Sequence, residues 1–317
     1  MVGALYAPYN LWDAYKKTAF AFSMLSRAAT RAALHSNCDI IIQTQTLFSV
    51  DKKRVATPYY IYTDFTHHLF NTGLKIGNWN RGRTLAPVSE RAIALERIAY
   101  NAADKVFVYN SQVRKDLIDF YGVEPQNVCR VGSGVNIQSQ IQQTRDVFGK
   151  RLLFVGIDHA RKGGDLAIET FLEVRKVHPE ATLTIVGSKL NQTIEGVTSL
   201  GKVPLEMLDE IFSNSDIYLQ PSYHEPFGIA FLEAMSYRIP CVAVRLESLE
   251  DHLLHEENCM LAEKHDAREL AALVINLIER PDKIRELGEN GYRLARSYYQ
   301  WPLVAKRILS HVSEPIR

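Results

Sequence analysis

Cysteine is scarce in this 317-residue chain, and long apolar runs are missing from it. The four cysteines are widely spaced and lie in or beside apolar runs, which favours buried free thiols over a disulfide framework. No stretch of about 18 apolar residues could span a bilayer, and nothing resembles the charged start and apolar core of a signal peptide. We therefore expect a cytoplasmic protein whose buried thiols are Cys38, Cys129, Cys241 and Cys259.

The chain also lacks a large net charge, since its formal charge is only +1. The two halves of the chain differ in net charge, however. Residues 1–150 hold 18 basic and 11 acidic residues, net +7, and the remainder holds 19 and 25, net −6. A basic first half suits an anionic ligand or a peripheral contact with an acidic membrane surface. An ordinary solvated face explains it better, because the basic residues form short clusters in expected loops, at 52–54 and 81–83.

No known nucleic-acid-binding module occurs in the sequence, and no basic stripe carries stacking aromatics, so we expect no nucleic acid partner. Strands and helices are expected to alternate, which predicts an α/β fold with parallel sheets and crossover connections. A chain of 317 residues is longer than one typical domain, and its 46% hydrophobic composition is enough for two hydrophobic cores. The polar, glutamine-rich stretch between Gly132 and Lys150 is the expected linker.

The first half opens without a strand, glycine loop and helix pattern before residue 38, and residues 1–36 indicate a loop and a long helix. Its apolar and periodic segments then predict three strands and two helices. The expected strands are 38–44, 58–63 and 105–110, and the expected helices are 87–103 and 111–122.

The stretch from Ser222 to Met235 carries the most specific pattern in the chain. A short β-rich run, Asp216 to Gln220, stops at Pro221, and apolar residues at helical spacing follow from Gly228 to Tyr237. The predicted order is strand, tight loop, helix. In that order Glu225 lies in the loop, and Glu233 lies about a turn and a half into the helix.

This arrangement suits a ligand that combines a polyol with a diphosphate. Carboxylates accept hydrogen bonds from paired hydroxyls, and the N–H groups of Phe227, Gly228 and Ile229 at a helix start receive anions. An isolated glutamate is more often an ordinary surface residue. Glu233, however, shares its helix with apolar neighbours, so its carboxylate is expected to need a partner.

A second candidate loop lies upstream, after a predicted buried strand from Leu152 to Gly156. Arg161 and Lys162 come just before a helix expected from about residue 166, and both cations bind phosphate well. The alternative is a charged loop with Asp165 capping the helix. Because ligands collect at the carboxyl ends of parallel strands, we expect this loop to share a site with Glu225.

These motifs resemble the retaining glycosyltransferases of family 4, which have the GT-B fold: two Rossmann-like domains with parallel sheets facing across a cleft. The resemblance implies an acceptor-side domain at 1–140, a nucleotide-sugar-binding domain at 141–298, and a final helix at 299–317 that crosses back to the first domain. It rests on Phe154-Val155-Gly156, Arg161-Lys162-Gly163-Gly164, Leu183 to Gly187, Pro221-Ser222 and Glu233-Ala234-Met235.

The resemblance also implies the reaction and the residues that perform it. A hexose would pass from a nucleotide diphosphate sugar, UDP- or GDP-linked, to a hydroxyl of a saccharide or lipid-linked acceptor, with retention of configuration. Glu225 would face the donor sugar as a catalytic residue, Glu233 would bind the ribose, and Arg161 and Lys162 would hold the diphosphate. No metal and no further cofactor is expected.

Two features depart from the family pattern. Ile157 to Ala160 stands where the family usually has an arginine, so Arg161 substitutes for it, and the glycine-rich loop that normally opens the first domain is missing. The first domain is therefore expected to be shortened, either because the chain is a fragment or because this lineage has trimmed it. The alternatives are an inactive or partner-dependent sugar-nucleotide-binding subunit and, less favoured, a phosphorylase on the same fold.

The acceptor side is represented by Asp64. Thr63-Asp64 occupies the place where many relatives carry a His-Asp pair at the reaction centre, which makes Asp64 a catalytic candidate. At most one of His67 and His68 could substitute for the missing histidine, because adjacent side chains diverge. In the alternative interpretation Asp64 is a helix N-cap and the histidines lie on the surface. A third, spaced ligand for zinc is lacking.

Overall fold

The computed structural model describes residues 18–76, 87–137 and 149–312, with the backbone alone at 74–76. The described residues form two compact units. The first contains 18–76, 87–132 and 307–312, and the second contains 133–137 and 149–306. Each unit has its own parallel sheet, as expected for an α/β chain.

The first unit is built on four parallel strands in the order β1-β2-β3-β4. All five residues of β2 are buried, and the cluster around them consists of aliphatic and aromatic side chains such as Ile61 and Tyr100. The strands are β1 Ile41–Thr44, β2 Tyr59–Thr63, β3 Lys105–Val108 and β4 Val128–Arg130. The helices are α1 Ala19–His35, α2 His67–Ile76, α3 Glu90–Ala102 and α4 Ser111–Asp119.

Side-chain caps explain where three of these helices begin. Thr18, Ser89 and Asn110 each accept a hydrogen bond from a backbone N–H of the first turn, at 3.2, 3.3 and 2.9 Å. Such caps satisfy N–H groups that have no partner within the helix. The expected strands and helices of the first half are confirmed, with ends that differ by up to three residues.

The second unit contains six parallel strands in the order β10-β9-β8-β5-β6-β7. Its strands are β5 Arg151–Val155, β6 Thr182–Val186, β7 Val197–Gly201, β8 Ile217–Gln220, β9 Cys241–Val244 and β10 Cys259–Ala262. Its helices are α5 Gly164–Val177, α6 Leu205–Ser213, α7 Ile229–Ser236, α8 Ala267–Ile278 and α9 Pro281–Tyr298. The final helix, α10 Trp301–His311, runs from the second unit into residues of the first.

The pairing of β5 with β8 positions the functional loops. Leu152 pairs with Ile217 and Leu153 with Tyr218, so the two strands are neighbours although a long stretch of chain separates them. All four residues of β8 are buried, as are the three central apolar residues of β5. Because the strands are parallel, the loops that follow them leave the sheet at the same edge.

Helix α7 is short and is supported by α9. An added Cβ at Gly291 would lie 2.8 Å from Met235 Cγ, and one at Gly288 would overlap the backbone carbonyl of Arg238. Glycine at these positions lets the two helices approach closely. The position of α7 therefore depends on small residues in a helix that follows it in the sequence.

One alternative interpretation and one expectation from the sequence are wrong in detail. Asp165 does not cap α5, because Gly163 occupies the N-cap with a left-handed backbone, φ 75°, and Asp165 falls in the first turn. Of the four free cysteines, Cys241 and Cys259 are buried, but Cys129 is partly exposed and Cys38 is exposed. Cys38 precedes β1 instead of lying within it. None of the helices in the described ranges is both long and apolar enough to cross a membrane.

Candidate active site

An ion pair joins the loops that follow β5 and β8. Lys162 Nζ donates to Glu225 Oε2, and both side chains are largely buried, with 13% and 6% of their surface exposed. Arg161 Nη1 lies 3.8 Å from the same oxygen. The structure thus brings together three of the residues that the sequence predicted for one site.

Further polar groups hold the Glu225 carboxylate and its backbone. Gln220 Nε2 donates to Oε2 at 3.2 Å, and Ser222 Oγ lies 3.5 Å from it. Ser248 Oγ donates to the backbone carbonyl of Glu225. Sequence reasoning missed these three residues. The signal for two of them was present, because Gln220 and Ser222 flank the end of a strand that leads into the predicted loop.

Arg161 connects the two loops through their backbones. Its Nη1 donates to the carbonyl of His224 at 2.8 Å, and its own carbonyl accepts from the N–H of Tyr223 at 3.0 Å. The guanidinium also lies 3.6 Å from Asp158 Oδ2. The guanidinium is therefore partly engaged by protein groups, and 23% of the side chain is exposed.

Glycine is required at two positions, and at the first of them it allows the two loops to approach closely. At Gly163, where φ is 75°, an added Cβ would overlap the carbonyl oxygen of Pro221. At Gly228, φ is 78°, and an added Cβ would lie 2.7 Å from the Phe231 ring and 2.8 Å from Leu249. Left-handed backbone and absent space together exclude other residues there.

The helix start predicted as an anion site is formed by Phe227, Gly228 and Ile229. Gly228 is the N-cap of α7, and Ile229 is its first residue. The buried Phe227 ring packs on His252, at 5.1 Å between ring centroids, and on Tyr299, at 6.0 Å. This packing fixes the backbone at the point where the N–H groups leave the helix.

Two histidines close to this helix start, His224 in the preceding loop and His252 against Phe227, have lowered pKa values. Burial lowers the pKa of His252 to about 4, and burial together with the charge of Arg161 lowers that of His224 to about 4. His252 is fully buried, and its ring nitrogens lie near the Phe227 backbone without a hydrogen bond of ordinary geometry. Both histidines are therefore neutral at pH 7.

Glu233 lies on α7 among apolar neighbours, as the sequence predicted. Burial raises its pKa to about 7, and three influences oppose this: hydrogen bonds from Asn136, a backbone hydrogen bond from Ile137, and the charge of Lys162. Asn136 and Ile137 come just after residue 132, where the chain passes from the first unit into the second. Both residues belong to the second unit. Sequence reasoning missed both residues, because they lie almost 100 positions from Glu233 and carry no motif.

The acceptor-side candidates lie in the first unit. Asp64 is exposed just after β2, but it does not cap α2: Thr66 Oγ1 accepts from the N–H of Leu69 at 3.1 Å, so the N-cap interpretation is wrong. His68 Nδ1 lies 2.6 Å from Asp116 Oδ1. His67 Nδ1 lies 3.4 Å from Glu96 Oε2, and Glu96 and Asp116 are both buried. Each histidine thus faces a carboxylate of its own unit.

Within the ranges that the structure describes, no three His, Cys, Asp or Glu side chains are grouped so that they could hold a metal ion. The charged groups that meet at the loop edge of the second sheet are instead two cations and two carboxylates: Arg161, Lys162, Glu225 and Glu233. Chemically, cations and helix N–H groups suit a diphosphate, and carboxylates suit hydroxyls.

The chain is similar in sequence to known glycosyltransferases. Residues 138–294, about half of the chain, match the family model described as glycosyl transferases group 1. Mannosylfructose-phosphate synthase from Agrobacterium fabrum is 26% identical over 246 residues, which are 68% of this chain and 54% of that protein. The chain thus spans little more than half the length of this curated relative.

Solved structures show the same fold at lower identity. Sucrose-phosphate synthase from Thermosynechococcus elongatus superposes with a TM-score of 0.69 and 20% identity over 91% of this chain and 76% of its own. HepE from Anabaena, in complex with UDP and glucose, superposes with a TM-score of 0.68 and 16% sequence identity. The superposition covers 90% of this chain and 80% of that one. The fold of the chain is GT-B, and through its second unit the chain belongs to the group 1 glycosyl transferases.

Proposed function

We propose that this chain transfers a hexose from a nucleotide diphosphate sugar to a hydroxyl of an acceptor, with retention of configuration. The observation that carries the proposal is the meeting of Lys162 and Glu225 at the adjacent carboxyl ends of β5 and β8, beside the start of α7. Parallel α/β sheets bind ligands at this edge. The complex of HepE with UDP and glucose supports a donor of this class.

The diphosphate is the leaving group in this reaction. Lys162, Arg161 and the N–H groups at Phe227, Gly228 and Ile229 would receive its developing negative charge. Such stabilisation is usually the largest single contribution to catalysis. Because the site supplies two cations of its own, we propose that the diphosphate departs without a metal ion and that no other cofactor takes part.

The two glutamates have separate roles in the proposal. Glu225, held by Lys162 and Gln220, would orient the hydroxyls of the donor sugar, and Glu233 would bind the ribose hydroxyls. Truncation of Glu233 should weaken donor binding, whereas truncation of Glu225 should lower kcat more than it raises KM, because a sugar contact near the reacting carbon strengthens in the transition state.

Fewer observations bear on the acceptor than on the donor. Asp64 is exposed after β2, and we propose it as the acceptor-side catalytic residue. A saccharide or lipid-linked hydroxyl compound fits the proposal, and mannosylfructose-phosphate synthase and sucrose-phosphate synthase are named for sugar products. The free thiols at all four cysteines suit a reducing cytoplasmic setting.

The deciding experiment presents the purified chain with UDP-, GDP- and ADP-sugars in ligand-detected NMR and follows the release of free nucleotide. Binding with turnover supports the proposal and identifies the donor. Binding without turnover would instead support a partner-dependent or inactive binding protein. If no donor binds, or if Glu225→Ala and Glu233→Ala keep wild-type kinetics, the proposed site is wrong.

A further inference from the structure

A buried side-chain amide faces the carboxylate that is proposed to orient the donor sugar. Gln220 ends β8, which lies between β5 and β9 in the second sheet, and the residue is fully buried. Its Nε2 group donates to Glu225 Oε2 at 3.2 Å and to Ser222 Oγ at 3.1 Å. Burying an amide costs free energy unless its polar atoms are paired. These hydrogen bonds, and not the bulk of the side chain, therefore distinguish glutamine from an aliphatic residue at this position.

A tyrosine on the same strand fixes the orientation of the amide. The Tyr218 hydroxyl donates to Gln220 Oε1 at 2.5 Å, and both side chains lie on one face of the sheet because the residues are two positions apart. The buried Tyr218 ring packs edge to face on Phe231 of α7, at 5.4 Å between ring centroids. If the amide were turned over, its oxygen would face the oxygen of Glu225, and two acceptors would meet. The hydroxyl thus keeps the Nε2 group directed at Glu225.

The contacts of the Glu225 side chain fall on one of its two oxygens. Oε2 accepts hydrogen bonds from Lys162, Gln220 and Ser222. Arg161 Nη1 lies 3.8 Å from the same atom. From the described residues, no hydrogen bond or ion pair reaches Oε1. Because each carboxylate oxygen offers about two acceptor sites, this part of the chain leaves Oε1 to a ligand.

We propose that Gln220 is a positioning residue for sugar transfer: it holds Oε2 of Glu225 so that Oε1 is presented to a hydroxyl of the donor sugar, and Tyr218 keeps the amide in the required orientation. The proposal rests on the proposed function, since it takes Glu225 as the residue that orients the sugar. Gln220 is fully buried, so it acts through Glu225 and not on the substrate directly. Its effect belongs to the sugar and to kcat, and not to the binding of the nucleotide diphosphate.

Removal of one hydroxyl tests the orientation of the amide. Tyr218→Phe keeps the ring and its packing but takes away the donor to Gln220 Oε1. It should lower kcat by about three- to tenfold, more than it raises KM for the donor, as expected for one net hydrogen bond. Tyr237→Phe is the matched control, because it removes a hydroxyl that donates to Asp209 at 2.7 Å in the same unit, and it should keep wild-type kcat. Wild-type kcat in Tyr218→Phe, or an equal loss in the control, overturns the proposal.

Nucleotide binding distinguishes a positioning role of Gln220 from a purely structural one. Isothermal titration with UDP and UDP-glucose, with GDP and GDP-mannose, and with ADP and ADP-glucose measures how much the sugar adds to affinity. In Gln220→Leu the affinity for the nucleotide diphosphate should stay within about twofold of wild type, and the affinity for its nucleotide sugar should fall by about three- to tenfold. A structural role would weaken both members of a pair alike, and that result overturns the proposal.

A measurement without ligand separates this contact from the assignment of the donor. In a chain labelled with ¹⁵N-glutamine, the side-chain amide signals of Gln220 are identified by their loss in Gln220→Leu. They should shift in Glu225→Ala, where Nε2 loses its carboxylate acceptor, and in Tyr218→Phe, but not in Tyr237→Phe. Unchanged signals in Glu225→Ala overturn the proposal whatever the nucleotide does. If the signals respond but no nucleotide binds, the contact serves only the fold, and the proposal fails together with the proposed function.

Discussion

Lys162 and Glu225 are 63 residues apart in the sequence and form a largely buried ion pair between two loops of one sheet edge. Neither side chain could be buried alone at acceptable cost, because an unpaired charge in a protein interior is strongly destabilising. The pair therefore ties the loop that follows β5 to the loop that follows β8.

Replacing Lys162 by Met should lower the free energy of unfolding by about 2–4 kcal/mol, since Glu225 then keeps its neutral partners Gln220 and Ser222 but has its nearest charged partner in the Arg161 guanidinium, at 3.8 Å. Urea denaturation measures this. The double variant Lys162→Met with Glu225→Gln should recover part of the loss, because the uncompensated charge is gone. Strictly additive effects of the two changes would contradict the coupling.

Gly163→Ala should lower the free energy of unfolding by more than about 3 kcal/mol, because the new Cβ meets the Pro221 carbonyl in addition to the strained φ of 75°. Gly201→Ala is the matched control: φ is 69°, but among the described residues the only atom within 4 Å of the new Cβ is Lys189 Cβ, at 3.7 Å. The control variant should lower the free energy of unfolding by about 1 kcal/mol, which measures the backbone strain alone. Equal losses in the two variants would show that the space between the loops is not limiting.

Glu233→Gln should change how stability depends on pH. The pKa of Glu233 is raised to about 7 from an ordinary 4.5, so the folded chain binds the proton more tightly than the unfolded chain. Its contribution to stability is present below pH 4.5 and is lost as the pH rises through 7. The variant lacks this loss. Its free energy of unfolding, relative to that of wild type, should therefore rise by on the order of 3 kcal/mol between pH 4.5 and 7. Thermal melts of both chains at steps of pH measure the difference, and parallel curves would contradict it.

His252→Leu should act in the opposite sense. The pKa of His252 is lowered to about 4 from 6.5, so the unfolded chain binds the proton more tightly. Stability from this group is present above pH 6.5 and is lost as the pH falls towards 4. Between pH 6.5 and 4 the free energy of unfolding should therefore fall less in the variant than in wild type, by on the order of 3 kcal/mol. His224 keeps its own acid sensitivity in both chains, so only the difference between them reports on His252.

Much of the site was predictable because the relevant signals are local. Glu225 and Glu233 follow one strand, Arg161 and Lys162 follow another, and parallel sheets gather such loops at one edge. The alternative interpretation, in which Asp165 caps α5, is wrong because a left-handed Gly163 occupies the N-cap, and the nearby Pro221 carbonyl explains that glycine.

The remaining parts depend on contacts between distant residues. Asn136 was missed because its role exists only where the chain meets Glu233 and Trp301. His67 and His68 were considered for a reaction centre, yet Glu96 and Asp116 lie beside them in the folded unit. No periodicity or spacing in the sequence reports such pairings.

The glycines of α9 have a consequence for large-scale mutagenesis. Gly291 packs against Met235 of the short helix that carries Glu233, and Gly288 packs against the backbone of Arg238 just beyond the end of that helix. In a saturation library selected for activity, side chains at these two positions would displace α7 and be depleted as severely as changes at Glu233. An active site mapped from such depletion alone would therefore extend, wrongly, through the helix to its far side.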